Sequence, residues 1–534
     1  MNGKPDRPLG ILLGLAVLLR LYFIVAFDYI SPDGVQYVRL GYTIWHGFSY
    51  GSGGAMFPDI IQPPLYPLVA GFFTLFLPPL FAGKTASLIA GILLVYVVYR
   101  FLSRLAGKKI ALIGGGLTVI HPGLIAISAQ AATEAWYILF VALLFFEGWH
   151  FWESPNRARG LRLALWFSLG FLTRPEMLVV MFFYVAFLFS TALYGKISLR
   201  PGHWLALMLP SVAMVLLYAA AVSLNLGYFT LSPKINFVRI QSKLAAIARA
   251  GDAGYKELPP RTAAYRAFYP LTPDGGELLS HALLYKKEPA MRWLREHRTS
   301  GAGFSPARLL GGVLKNAKKM LSKIAGGKGL PWFLALTAFL GLFYLFKENR
   351  VYGWYLVLML MPLSIYLFVH IEDRFLLGSW PMLVLPAARV FERLYEKFRV
   401  YFSPLLAGAV PLLLLFVLLL GAYGKMVDDF KATNRWKLLS QKVKDVVEPG
   451  ARLMAKQPQT AFFLDTEYRL LPFGSVDKLL VYFQKQKVDY LLVDEADLAL
   501  NPALETFIDL RGGAPLTLLR EGSLEGRSYW LFHI

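Results

Sequence analysis

Two acidic residues stand at the ends of apolar stretches, and both have the chemistry of a proton acceptor. Asp33 follows the run 9–27 in "FDYISPDGVQYVRLG", and Glu134 opens a later run in "SAQAATEAWYILF". An acid at a membrane exit commonly does no more than solvate a loop. The neighbours of Asp33 argue for more, because Tyr37, Arg39, Tyr42, Trp45 and His46 follow closely, then "GSGG", then Gln62 and Tyr66 in "QPPLYP". Aromatic faces and hydrogen-bonding side chains at headgroup depth suit a carbohydrate. A carboxylate among them could take the proton of an acceptor hydroxyl or amine, as a general base must. Glu134 is costly at the mouth of a span unless it is paired or functional. A purely structural role, stabilisation by the helix dipole, is the competing reading.

Three arginines lie within or at the edge of apolar runs. Arg20 sits in "LAVLLRLYF", Arg174 in "FLTRPEML", and Arg374 in "FVHIEDRFLLGSWP" beside His370, Glu372 and Asp373. Arginine in lipid faces a partner or a polar cavity, and its paired N–H donors match a phosphate. The bland alternatives are snorkelling or a structural pair for Arg20, and a salt bridge to Glu372 or Asp373 for Arg374. Asp33 and Glu134 are thus the catalytic candidates. Tyr37, Arg39, Gln62, Tyr66 and His370 are the candidates for substrate contact, and Arg174, Arg374 and Arg20 for phosphate.

Other chemistries find no support. There is no Cys, so thiolate catalysis and Cys-ligated metals are excluded. No glycine-rich run carries the Lys-Ser/Thr of a P-loop, and no HExxH occurs among the 8 His. No cofactor or metal is expected, although Asp33 and Glu134 leave a weakly held divalent cation open; two ligands are too few to argue one.

The elements that must position these residues are membrane spans. The 534-residue chain is 56% hydrophobic and only 17% charged, unlike a soluble protein of that length. Apolar stretches long enough to cross ~30 Å of hydrocarbon recur along it. They fall at 9–27, 84–103, 110–131, 134–151, 161–174, 175–194, 204–222, 329–346, 352–370, 375–391 and 401–423, eleven in all. The first has no small-residue cleavage site after it and reads as a retained helix. Arginine and lysine clusters in the short connections, such as Arg100, Arg104, Lys108 and Lys109, put the N-terminus in the cytoplasm. Asp33 and Glu134 then share the outer face. The segment 63–81, bounded by Pro63, Pro64, Pro78 and Pro79, would invert every later cluster if it crossed. It reads as a re-entrant or interfacial helix.

The net charge of +21 is dispersed between spans, which fits cytoplasmic loops and anionic lipid better than nucleic acid. Two external parts stand out: the first loop, 28–83, which carries Asp33, and a long basic loop, 223–328, with 18 Lys/Arg against 6 Asp/Glu. Within the latter, Leu309, Leu310, Val313, Leu314, Met320, Leu321 and Ile324 share a helical face, and Lys315, Lys318, Lys319 and Lys323 fall mostly on the other. Such a helix can lie on an anionic membrane surface or pack on the protein. The expected fold is therefore an all-α polytopic membrane domain over 1–424 with a small extracytoplasmic α/β domain over 425–534. In the latter a helix is expected near 427–447, with strands at "RLMA" and "AFFL". "SVDKLLVYFQKQKVDYLLVDE" should be a helix running into a buried strand.

The ordered series resembles the C-superfamily of membrane glycosyltransferases: a first span, an external Asp, "PPLYP", a "TE" at a later mouth, and a late "DRFLLGSWPMLVLPAA" before a terminal domain with "VDYLLVDE". It is most similar to the bacterial protein O-mannosyltransferases and the lipid A aminoarabinose transferases. The resemblance implies a sugar donor carried on a polyprenyl phosphate and a lipid, glycan or protein acceptor. It implies transfer with inversion at the outer face of the bacterial cytoplasmic membrane. It also implies Asp33 as general base and basic residues, Arg174 and Arg374, on the departing phosphate. Two departures leave the sugar open. Gly34 stands where the mannosyltransferases carry a second acid, and Gln62 where the aminoarabinose transferases carry Lys. A lipid or glycan flippase would share the spans and buried arginines, but its usual internal repeat is not evident. A non-catalytic assembly subunit is the third alternative.

Overall fold

Helices form where the apolar runs predict them, and prolines set where several begin. In the computed structural model, residues 6–54, 56–251, 258–297, 306–326, 330–368, 371–432, 434–509 and 516–534 are described. The first part of the chain gives α1 (Arg7–Ala26), α2 (Pro32–Gly47), α3 (Leu65–Thr74), α4 (Pro79–Ala106), α5 (Lys108–Ile120) and α6 (Pro122–Ser128). Next come α7 (Thr133–Glu153), α8 (Arg157–Thr173), α9 (Met177–Leu193) and α10 (Pro201–Leu226). The helices α11 (Pro233–Gly251), α12 (Pro260–Phe268), α13 (Leu279–Leu284) and α14 (Glu288–Glu296) lie in the long loop, which α15 (Pro306–Gly326) completes. They are followed by α16 (Trp332–Glu348), α17 (Arg350–Leu360), α18 (Trp380–Tyr401) and α19 (Pro404–Ala432).

Five described helices, α1, α4, α7, α10 and the stretch Arg350–Leu367, are long and apolar enough to cross a membrane, or six if the bent pair α5–α6 is one span. The chain is an integral membrane protein. The expected span at 352–370 is shorter as an α-helix than its composition implies: α17 ends at Leu360 and a 3-10 segment, Met361–Leu367, continues it. Pro362, which lacks an N–H, sits at that change. Likewise 375–379 is 3-10 (Asp373–Ser379), and the α-helix starts only at Trp380. The proline-bounded segment 63–81 yields α3, ten residues or ~15 Å of rise, too short to cross ~30 Å.

The chain divides into two compact units. One comprises Met1–Tyr29, Pro63–Val215 and Phe304–Lys431; the other comprises Ile30–Gln62, Leu216–Gly303 and Ala432–Ile534. The first is helical. In it α16 approaches α18 so closely that a Cβ on Gly341 would lie 1.9 Å from the Pro386 carbonyl oxygen, so only glycine fits.

The second unit holds a five-stranded sheet ordered β2-β1-β3-β5-β4. Its strands are β1 (Arg452–Ala455), β2 (Glu467–Leu470), β3 (Tyr490–Asp494), β4 (Thr517–Leu524) and β5 (Arg527–His533). β1 is parallel to β2 and β3, whereas β5 is antiparallel to both β3 and β4. Every residue of β3 is buried, as a strand covered on both faces requires. Its neighbours alternate, with Leu453 and Leu492 in one core cluster and Met454, Leu491 and Val493 in the other. Around the sheet lie α20 (Asn434–Val443), α21 (Pro458–Phe463), α22 (Val476–Gln486), α23 (Glu495–Leu498) and α24 (Ala503–Asp509). The expected strand at "RLMA" and the helix-to-strand run 475–495 are both present. "AFFL" is not a strand: Ala461, Phe462 and Phe463 end α21. A short apolar run fits either state, and Pro458 at the first helical turn favours the helix. The helix expected over 427–447 is divided between the end of α19 and α20.

Asp494 closes this unit electrostatically. Its carboxylate accepts from Arg435 Nη2 at 2.7 Å and from the Ala496 N–H at 2.9 Å, while its own N–H donates to Asp497 Oδ2 at 3.0 Å. Burial pushes the Asp497 carboxyl up to about 6. The folded chain therefore binds this proton more tightly than the unfolded one. Its contribution is full below pH ~4 and is lost as pH rises through ~6, a change of about 3 kcal/mol. Thermal melts across that window should show the slope, and Asp497→Asn should flatten it.

Candidate active site

In the first unit the buried acid and two arginines meet. Glu134 lies in the first turn of α7 and is 3% exposed. Its Oε1 accepts from Arg174 Nη1 at 2.6 Å and lies 3.2 Å from Arg374 Nε, and its Oε2 accepts from Thr133 Oγ1 at 3.3 Å. Arg174 is the C-cap of α8, where Pro175 ends the helix. It also bonds Glu176 Oε1 at 3.1 Å, and its guanidinium stands over Tyr137 and Phe375. Arg374, in the 3-10 segment Asp373–Ser379, bonds Glu372 Oε2 at 2.6 Å and also stands over Phe375. A narrow cleft lined by Tyr137, Glu176, Tyr366, Phe375 and Ser379 adjoins this cluster. Planar cations held between carboxylates and aromatic faces keep their forks oriented.

A hydrogen-bonded chain fixes the start of α7. Tyr66, fully buried, shares a 2.9 Å bond with Ser87 Oγ and donates to the Gly83 carbonyl. Ser87 Oγ in turn accepts from the Ala132 N–H at 3.2 Å, two residues before Glu134. Tyr66 therefore supports the Glu134 helix from within α3. Lys84, also fully buried, donates to the Ile24 and Phe27 carbonyls at 3.2 and 2.5 Å, capping the end of α1. Arg20 lies elsewhere in this unit, with Nη1 directed at the Ala16 and Val119 carbonyls at 3.3 and 3.4 Å. Its Nε and Nη2 have no hydrogen-bond partner among the described residues.

Asp33 belongs to the second unit. Ser31 caps α2 by accepting from the Gly34 N–H at 3.0 Å, Pro32 presets the first turn, and Asp33 follows within that turn. Burial and the negative charge of Asp33 together push the Tyr269 phenol up, so Tyr269 of the long loop is within electrostatic reach of this acid. Tyr37 is buried on the inner side of α2. Arg39 donates to the Thr466 carbonyl at 2.7 Å and Gln459 Nε2 to the Ile30 carbonyl at 3.4 Å. Gln62 donates to Gln36 Oε1 at 3.2 Å, and its carbonyl accepts from Tyr50. Gln36 passes the network to Asp59 Oδ1 at 2.8 Å, which Ser52 also reaches.

The structure thus brings Glu134, Arg174 and Arg374 together and places Tyr66 in support of them. Asp33, Tyr37, Arg39 and Gln62 lie in the other unit. His370 lies outside the described residues. Among the described residues no group of three His, Asp or Glu side chains is placed to hold a metal. The sequence reading missed Glu176, Lys84 and Tyr269. Glu176 had a signal, standing two residues after Arg174 in "TRPE"; Tyr269 had none.

The fold is one that solved structures share. It is shared with the oligosaccharyltransferase of Archaeoglobus fulgidus in the apo form (TM-score 0.56, 14% identity, 93% of this chain and 71% of that one). The same enzyme tethered to an acceptor peptide containing the NVT sequon gives 0.54 and 13%, over 93% and 70% of the two chains. ArnT from Cupriavidus metallidurans bound to undecaprenyl phosphate gives 0.51 and 11%, over 99% and 98%. At these identities the likeness is one of fold. More particularly, residues 61–219 match the family described as dolichyl-phosphate-mannose-protein mannosyltransferase, so the chain resembles the mannosyltransferase and ArnT branches. No curated protein matches the sequence.

Proposed function

We propose that this protein is an inverting glycosyltransferase that moves a sugar from a polyprenyl-phosphate donor to a lipid, glycan or protein acceptor at the outer face of a bacterial cytoplasmic membrane. The observation that carries the reading is the buried Glu134 carboxylate holding both Arg174 and Arg374, on a fold shared with an enzyme whose structure holds undecaprenyl phosphate. Asp33 takes the proton from the acceptor O–H or N–H as that atom attacks the anomeric carbon. The bond from that carbon to the phosphate oxygen breaks on the opposite face, and the electron pair leaves with the polyprenyl phosphate. Arg174 and Arg374 take up the developing phosphate charge, in a site whose dryness strengthens each contact. Glu134 keeps the two forks in position before the phosphate arrives. Tyr37, Tyr66, Gln62 and Arg39 shape the two sets of acids and cations, and Arg20 is a further cation for the phosphate path.

The purified protein should transfer sugar from a synthetic polyprenyl-phosphate donor, read by release of free polyprenyl phosphate with a mixture of lipid and peptide acceptors. Absence of release across hexosyl and pentosyl donors, together with donor-independent lipid flipping in vesicles, would favour the flippase reading.

A further inference from the structure

The helix α15 has an apolar face that the protein does not cover. At 100° per residue, Leu310, Leu314 and Leu321 fall within an arc of about 40°, and they are 60%, 62% and 66% exposed. Lys318, about 60° from the middle of that arc, Lys315 further round and Lys319 nearly opposite it are all exposed. The flank opposite the leucines is tethered: Asn316 Nδ2 donates to the Leu367 carbonyl at 2.9 Å, and Lys323 Nζ bonds Asp373 Oδ2 at 3.0 Å. Those two partners close the 3-10 segments on either side of 368–372, and Asp373 immediately precedes Arg374. At the helix end the Gly326 carbonyl accepts from Lys425 Nζ at 2.6 Å.

We infer that α15 is a docking surface for anionic phospholipid headgroups, with its leucines in the acyl boundary and Lys315, Lys318 and Lys319 on the headgroup phosphates. Charge decides the occupant. The first turn and the face carry no acid, and the sequence 306–326 holds Lys and Arg but no Asp or Glu. A leucine arc with lysines spread round the rest of the exposed surface matches an interface of apolar chains and anionic heads. The same helix fixes the segment that bears Arg374, so lipid bound on one flank steadies a residue of the acid–arginine cluster through the other.

The test is hydrogen–deuterium exchange of the 306–326 amides in the full-length protein, in nanodiscs of phosphatidylcholine alone and with added phosphatidylglycerol. Exchange should slow by roughly tenfold with the anionic lipid, and the protection should fall as salt is raised. The Lys315→Gln, Lys318→Gln, Lys319→Gln variant, which keeps both tethers, should lose the difference. Equal exchange in the two nanodiscs, as a protein partner would give, overturns the inference. So does protection by anionic lipid that survives in the triple variant. Neither readout depends on transferase activity, so this inference and the proposed reaction can fail separately.

Discussion

Asp33→Asn should lower the turnover of sugar transfer by ~10²–10⁴, the range that a positioned proton acceptor contributes. The substitution keeps the side-chain shape, and the Ser31 cap and Pro32 that start α2 do not depend on the charge. The loss of a carboxylate from the first helical turn costs only ~0.3–1 kcal/mol of dipole interaction. The variant should therefore melt close to wild type and fail in chemistry. Donor affinity, measured with the leaving group polyprenyl phosphate alone, should stay within a few-fold, because a base at Asp33 would meet the acceptor and not the phosphate. Full turnover in the variant would remove Asp33 from the role. A loss of turnover that tracks a loss of folded protein would make the residue structural.

The legible parts of this fold are those written in local pattern. Apolar runs mark the helices, "VDYLLVD" reads as a strand buried on both faces and is one, and the short α3 could be separated from a full crossing by the charge clusters that a crossing would invert. The start of α2 was equally written, in Ser31-Pro32-Asp33, but its aromatic residues drew the reading toward a binding loop. Contacts distant in sequence left no such mark. Tyr269 feels the charge of Asp33 across more than two hundred residues, and Arg39 is docked on the Thr466 carbonyl, which no spacing in the chain announces. Gln62 shows the same limit in reverse. As a sequence feature it is a missing lysine; in the structure it is one link of a Gln62–Gln36–Asp59 network. The acid–arginine cluster was half visible, since each member stands at a helix end next to an apolar run. Which acid would hold which arginine was not, because Glu134, Arg174 and Arg374 are brought together by packing of α7 against α8 and the 3-10 segment.

Arg174→Ala should be the most damaging change in that cluster. It leaves Glu134, 3% exposed, with Arg374 as its remaining arginine and takes from Glu176 its 3.1 Å partner. Removing one member of a buried ion pair costs ~3–5 kcal/mol, so the melting temperature should fall. Arg174→Lys restores charge but not the fork that reaches two carboxylates at once, and should recover only part of the loss. Glu134→Gln removes the charge and keeps the shape. It should destabilise less, because the neighbouring arginines retain Glu176 and Glu372. Function separates these variants further. If the arginines hold the leaving phosphate, Arg174→Ala weakens binding of polyprenyl phosphate itself, whereas Asp33→Asn does not. If Glu134 only orients the arginines, its effect on that binding should be largely absent once Arg174 is gone, and the double variant should bind no worse than Arg174→Ala alone. Additive losses would instead mean that Glu134 acts on the substrate independently of Arg174.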